Sequence, residues 1–362
     1  MNIKDRYKFY PQMKHYDALS QKFTPYLMFT SLNNYCSDVL NTDSHGFRLS
    51  GADGKLQVDN LDRSGSINIL TGGSTAFGVG ATSDKSTISA LLSKGTNNSW
   101  VNFSGRAYTS TQEFISFAYY RDLLPSVENI VIFSGVNDLY LYFASKYYNE
   151  QMGGFFNSTN WVNKINTDSR MRSIMTRPLI NKILNVIYGA HDFKLISNRD
   201  AFNLLFRKKS MNMKQIRTTL SQFNPIIEHN KNPTEALNVL RRNISNWKIM
   251  ADAHNAKITY VLQPFSNWLP NRSLTENEKS VFDILDNEGG ENWRILSESI
   301  NSLHSWYSEE LSKICEEKNI NYYDSNNCLN KDFNEDIFVD RIHLTDYGNK
   351  IISDNILEKI WN

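Results

Sequence analysis

The sequence predicts an α/β fold built on a doubly wound sheet of five parallel strands. Three observations lead there. Five short apolar segments stand out: SINIL (66–70), WVNFS (100–104), NIVIFSG (129–135), KITYVLQ (257–263) and NINYYD (319–324). Each is a nearly continuous apolar run rather than a strict alternation, as expected of a strand covered on both faces. Helix-period stretches lie between them, and strands alternating with helices imply βαβ crossovers. Ligands of such sheets bind outside the carboxyl ends of the strands, so the residues after each run carry the interest.

The helices follow from spacing and punctuation. Thr109 to Leu124 places Phe114, Phe117, Ala118 and Leu124 on one stripe, and Pro125 stops it. Ala236 to His254 carries Leu237, Leu240, Ile244, Trp247 and Met250 at helical spacing. Trp293 to Lys318 carries Ile295, Ile300, Leu303, Trp306, Leu311 and Ile314. Thr345 reads as the N-cap of a last helix running to about Ile360. Two regions lie outside this pattern. Residues 1–65 form an aromatic, loop-rich extension packed on the core domain of residues 66–362. Residues 138–235 separate the third strand from the helix before the fourth, too long a gap for a simple loop. A helical insertion is expected there, with INKILNVIYG (180–189) as its most apolar piece. Residues 141–240 hold 14 Lys/Arg and 6 Asp/Glu, which reads as a solvated helical face or as a basic lid for an anionic partner.

Composition narrows the classes of function. The chain has 362 residues, 40% of them hydrophobic and 21% charged, enough to bury a large core unaided. Its net charge of +1 gives no basis for nucleic-acid binding or strong membrane attraction. Cys36, Cys315 and Cys328 match no zinc spacing and read as free thiols of a reducing compartment. No His/Cys/Asp cluster has metal-site spacing, so neither a metal nor a cofactor is expected. The N-terminal stretch lacks an apolar signal region, and the longest apolar runs are too short to span a bilayer. The expectation is a cytoplasmic chain whose oligomeric state the sequence leaves open.

Four sets of residues carry chemistry. Ser74 follows the first strand in T-G-G-S-T-A-F-G (71–78), where two glycines allow a sharp turn and small neighbours leave room for a carbonyl. A helix starting there would favour a developing anion. A phosphate loop is the competing reading, but no Gly-Lys-Ser/Thr follows. Asp340 stands three residues before His343 in D-R-I-H, about one helical turn away, close enough to orient the imidazole as a base for a serine. Gly105, in V-N-F-S-G-R (101–106), can bring a backbone N–H close to a ligand. Asn137, in F-S-G-V-N-D (133–138), offers a neutral amide donor. Asp138 reads as a structural cap that orients Asn137. Gln263, Phe265 and Trp268 leave the fourth strand and are candidates for bordering a substrate. His45 and Arg48, in N-T-D-S-H-G-F-R (41–48), are candidates for reaching over the site.

The order Ser, Gly, Asn, Asp-x-x-His, each after a successive strand with only the fourth strand skipped, resembles the SGNH (GDSL-type) hydrolase family. The blocks are G-G-S-T-A-F-G, N-F-S-G-R, G-V-N-D and D-R-I-H-L-T-D-Y-G-N, and the resemblance spans 66–135 and 257–352. It implies a three-layer, flavodoxin-like α/β/α sandwich and a Ser74–His343–Asp340 triad. It also implies an oxyanion hole of the Ser74 and Gly105 N–H groups and the Asn137 amide. The family's block places Asp before the serine, where this chain has Gly73. The segments at 41–48 and 262–264 resemble a bacterial branch that modifies glycans, which points to an esterase acting on an O-acyl, chiefly acetyl, sugar or glycan precursor. An acyltransferase with the same triad and an inactive binding module are the alternatives. Gly72-x-Ser74-x-Ala76 also comes close to the nucleophile elbow of α/β-hydrolases. In that fold, however, several strands precede the serine and the acid lies well upstream of the histidine.

Overall fold

A computed structural model describes residues 3–145, 148–158, 161–163, 165, 232–288 and 300–361. The chain divides into two compact units, one of Met1–Phe156 with Ile227–Asn362 and one of Asn157–Ile226. The first carries the fold. INKILNVIYG (180–189) and the start of the helix expected at Trp293 lie outside the described residues.

An N-terminal helix α1 (Met13–Ala18) and an antiparallel hairpin of β1 (Gln21–Thr24) and β2 (Met28–Ser31) precede the main sheet. The sheet comprises β3 (Ser66–Gly72), β4 (Trp100–Asn102), β5 (Ser126–Ser134), β6 (Lys257–Leu262) and β7 (Asn321–Asp324), ordered β4-β3-β5-β6-β7. Every pairing in it is parallel. The five apolar runs are therefore the five strands of one doubly wound sheet, with the chain reversing direction of travel beside β3. That strand's carboxyl end faces the crevice where such sheets bind ligands.

Helices among the described residues include α2 (Ser74–Phe77), α3 (Ile88–Thr96), α4 (Ser110–Tyr120), α5 (Val136–Ala144), α6 (Thr234–Ala253), α7 (Glu276–Glu288), α8 (His304–Glu316), α9 (Asn326–Leu329) and α10 (Asp346–Trp361). Alternation along the strands sorts them into two outer layers. Ile130 and Ile132 of β5 join a core with Phe117 of α4, Trp247 of α6 and Leu311 of α8. Val131 and Phe133 point the other way, toward Leu92 of α3 and Ile352 of α10. This is why both faces of the strands read as apolar: each is covered by helices. Thr345 caps α10 as expected, its hydroxyl accepting the Gly348 N–H at 3.1 Å. No helix among the described residues is long and apolar enough to cross a membrane.

Residues 7–40 build a third apolar cluster. Tyr10, Met13, Tyr16, Leu19 and Leu40 pack there with Phe77 and Val79, just after Ser74, and with Val339, just before Asp340. The N-terminal segment thus lies behind the strand ends that carry the candidate site.

Gly72 closes β3 with φ +155°, and a Cβ there would stand 2.1 Å from the Phe133 carbonyl oxygen of the neighbouring strand. Neither backbone can yield without breaking the β3–β5 pairing. Gly72→Ala is expected to destabilise the fold by about 2–4 kcal/mol, read from urea denaturation. A change of a few tenths would show that the strand end is free to move.

Candidate active site

Gly72 and Gly73 turn the chain out of β3, and Ser74 opens the four-residue α2. A side chain at 73 would meet the Asn137 Nδ2 at 2.6 Å. The missing side chain lets the Asn137 amide sit against the backbone next to Ser74. As the first residue of its helix, Ser74 has an N–H outside the helical ladder.

His343 arrives from a tight loop closed by an isolated bridge between Phe338 and Leu344 and by a Val339 N–H to His343 carbonyl bond of 2.9 Å. Its Nε2 lies 2.7 Å from Ser74 Oγ, and its Nδ1 lies 2.7 Å from Asp340 Oδ2. The other Asp340 oxygen accepts the N–H groups of Ile342 (2.9 Å) and His343 (2.8 Å), so the carboxylate is held from both sides. Burial pushes the Asp340 carboxyl up, but the facing His343, its hydrogen bond and the two N–H donors outweigh burial and hold it below the ordinary carboxylate range. Asp340 is buried, whereas Ser74 and His343 are partly exposed. The acid is thus dry and the serine reachable.

Asn137 sits in the first turn of α5, directly after Gly135 (φ +114°). One of its two amide hydrogens is committed to the Tyr108 carbonyl at 2.7 Å. That bond orients the amide and leaves the second hydrogen for a ligand. Tyr108 had no distinguishing mark in the sequence, because its carbonyl rather than its side chain does this. Gly105 departs from expectation. Its N–H donates to the Gly72 carbonyl at 3.1 Å and so closes the sheet end. The glycine there makes room for the Tyr108 ring, 2.3 Å from where a Cβ would stand.

The candidate substrate contacts are corrected by burial. Arg48 does not reach over the site; its side chain is wholly buried on the far side of α2. Phe265 and Trp268 are core residues, with the Trp268 indole N–H donating to the Ile300 carbonyl at 2.9 Å and its ring stacked on His304. Gln263 is 1% exposed, and its amide donates to Thr75 Oγ1 at 3.4 Å, so it braces the residue after Ser74 instead of facing solvent. All four follow strand or turn ends, but segments distant in the chain cover them, and the one-dimensional pattern does not contain those contacts. His45 is paired with Asp59 at 2.8 Å.

Asp138 caps α4, accepting the Ser110 N–H (2.9 Å) and hydroxyl (2.6 Å). Burial pushes its carboxyl up to about 6 against those two hydrogen bonds. Buried Glu113 is raised well above the carboxylate range by burial and by the Asp138 charge, with the Ser134 hydroxyl opposing. The folded chain thus holds a proton on Asp138 that the unfolded chain releases near pH 4, so stability falls as pH rises from about 4 through 6. Asp138→Asn is expected to flatten that part of the stability–pH curve, measured by urea denaturation. An unchanged slope would place the proton elsewhere. Among the described residues no group of three or more His, Cys, Asp or Glu could hold a metal ion.

No family model matches the chain, and no curated protein matches it either. Among solved structures, it is similar to the acetyl xylan esterase AlAXEase, with 10% identity and a TM-score of 0.36, over 81% of this chain and 100% of that one. It is also similar to a member of the lipolytic protein G-D-S-L family from Veillonella parvula DSM 2008. Here the identity is 11% and the TM-score 0.37, over 82% of this chain and 100% of that one. Likenesses of this size carry no argument about activity, which rests on the site.

Proposed function

We propose that this chain is a serine esterase of the SGNH type, with Ser74 as nucleophile, His343 as general base and Asp340 as the acid that orients it. The observation that carries the reading is the relay itself: two 2.7 Å bonds in line, Asp340 Oδ2 to His343 Nδ1 and His343 Nε2 to Ser74 Oγ. A nucleophile in reach of a base, with the base held by a third group, is the arrangement that acyl transfer requires.

The steps follow from the atoms. Ser74 Oγ attacks the ester carbonyl carbon as its proton passes to His343 Nε2, and the carbonyl electrons move onto oxygen. The Ser74 N–H and the free Asn137 amide hydrogen stabilise that oxyanion, each donor contributing about 3 kcal/mol of barrier lowering. Collapse breaks the bond to the alcohol oxygen, which leaves with the proton from His343. Water then attacks the acyl-Ser74 ester by the same route, releasing the carboxylic acid and restoring the serine. The Gly105 N–H can join the oxyanion donors only by sharing its bond to Gly72. The substrate class we assign is an O-acyl, chiefly acetyl, ester of a sugar or glycan precursor, supported by the resemblance of 41–48 and 262–264 to a glycan-modifying branch.

Turnover of p-nitrophenyl acetate and of acetylated oligosaccharides, with fluorophosphonate labelling mapped by mass spectrometry, tests both parts. Labelling at Ser74 with acetate release supports the reading. Folded protein that neither turns over ester nor labels at Ser74 would overturn it.

A further inference from the structure

The segment N-T-D-S-H-G-F-R (41–48) is a self-braced turn. Asp43 accepts the N–H groups of His45 (2.9 Å), Phe47 (3.0 Å) and Val58 (3.3 Å), and Gly46 takes φ +90° with the Ser31 carbonyl oxygen 2.6 Å from where a Cβ would be. Phe47 stacks on Phe103 with ring centres 4.2 Å apart. This turn delivers Arg48 beneath α2.

There the guanidinium meets the carbonyl end of the nucleophile helix. Nη1 donates to the Gly78 carbonyl at 2.6 Å, with the Phe77 carbonyl at 3.4 Å, and to the Tyr16 hydroxyl at 2.7 Å. Nε donates to Asp84 at 2.8 Å and Nη2 to the Val39 carbonyl at 3.1 Å. The Tyr16 oxygen lies 2.9 Å from the Gly78 carbonyl and 2.7 Å from that of Ala81, so its hydrogen reinforces the same loop. A four-residue helix cannot hold itself, because nucleation costs more than one turn of hydrogen bonds returns, and its last carbonyls need outside donors. The loop reports back to the nucleophile: the N–H groups of Gly78 (3.1 Å) and Val79 (3.0 Å) both donate to the Ser74 carbonyl.

We propose that Arg48 is a positioning residue for Ser74: by holding the Gly78 carbonyl it sets the end of α2 and, through the Gly78 and Val79 bonds to the Ser74 carbonyl, the aim of the Ser74 hydroxyl at His343. This rests on the esterase reading for its catalytic consequence, not for the clamp itself. A misaligned nucleophile costs rate without costing binding, and a shift of about 1 Å can slow reaction about a hundredfold.

The test compares wild type, Arg48→Lys and Tyr16→Phe in the full chain. Lysine keeps the charge beside Asp84 but cannot present a planar fork to the surrounding acceptors. Tyr16→Phe removes one hydroxyl and serves if the lysine variant does not fold. Two readouts are taken below the melting temperature of each variant: hydrogen exchange of the peptides covering 73–82, and kcat and KM for p-nitrophenyl acetate with the rate of fluorophosphonate labelling. The expected result is faster exchange confined to 73–82. It is accompanied by a roughly tenfold to hundredfold fall in kcat and labelling rate, with KM nearly unchanged. Unchanged exchange and rate in a folded variant would overturn the clamp. So would exchange raised evenly along the chain with activity tracking the folded fraction, which is the signature of a merely structural ion pair. Local exchange that rises in a protein whose wild type is inert toward ester would uphold the clamp and sink the esterase reading.

Discussion

Replacing Ser74 with alanine is expected to lower ester turnover about 10⁶-fold, or roughly 8 kcal/mol of barrier, while leaving the fold intact. The size follows from the site. Ser74 Oγ is the atom in reach of His343 Nε2, and without it no acyl-enzyme forms. What survives is the background rate that bare oxyanion donors can promote. The fold should not suffer, because alanine suits the first position of a helix and the hydroxyl bonds the partly exposed His343. Near-ultraviolet circular dichroism and a thermal melt establish the fold, and p-nitrophenyl acetate release establishes the rate. Turnover within tenfold of wild type in a folded Ser74→Ala protein would mean that another group is the nucleophile.

Asp340→Asn is expected to lower kcat about 10⁴-fold at neutral pH, through the tautomer of His343. The Ile342 and His343 N–H groups demand an acceptor at Oδ1, so the new amide keeps its oxygen there. Its NH₂ then faces His343 Nδ1, which must accept. The imidazole proton moves to Nε2, pointing at Ser74, and the base can no longer take a proton from the serine. Nitrogen-15 NMR of the histidine ring reports the tautomer independently of rate. A wild-type tautomer with a wild-type rate would remove Asp340 from the mechanism. The same substitution should narrow the stability gap between neutral and acid pH. The depressed Asp340 carboxyl stabilises the folded state above the ordinary carboxylate range and loses that effect as pH falls below about 4, through its folded value.

The strands were legible because burial on both faces writes a continuous apolar run, and β3, β5 and β6 each coincide with one within a few residues. Ser74, Asn137 and the Asp340–His343 pair were legible because each stands at a strand end or in a short spacing that local backbone geometry respects. The misjudged residues share a different property. Arg48, Phe265 and Trp268 also sit just beyond strand or turn ends, yet they are roofed by segments far away in sequence: Arg48 by Tyr16 and Asp84, Trp268 by Ile300 and His304. Gly105 shows the same limit at the scale of one atom, since whether its N–H is free depends on the Gly72 carbonyl of a neighbouring strand.

By itself the sequence determined the alternation of strands and helices and the residue types in the relay, because both follow from local periodicity and short spacing. Only the tertiary structure decided that Ser74 and His343, 269 residues apart, meet at 2.7 Å. It also decided that the Asn137 amide occupies the space a Gly73 side chain would need, and that the Arg48 guanidinium is buried against the Gly78 carbonyl at the end of α2. Chain direction and hydrophobic pattern are local properties. Which loop covers which strand end depends on packing between segments distant in the chain, where a few ångströms separate a core residue from one that touches substrate.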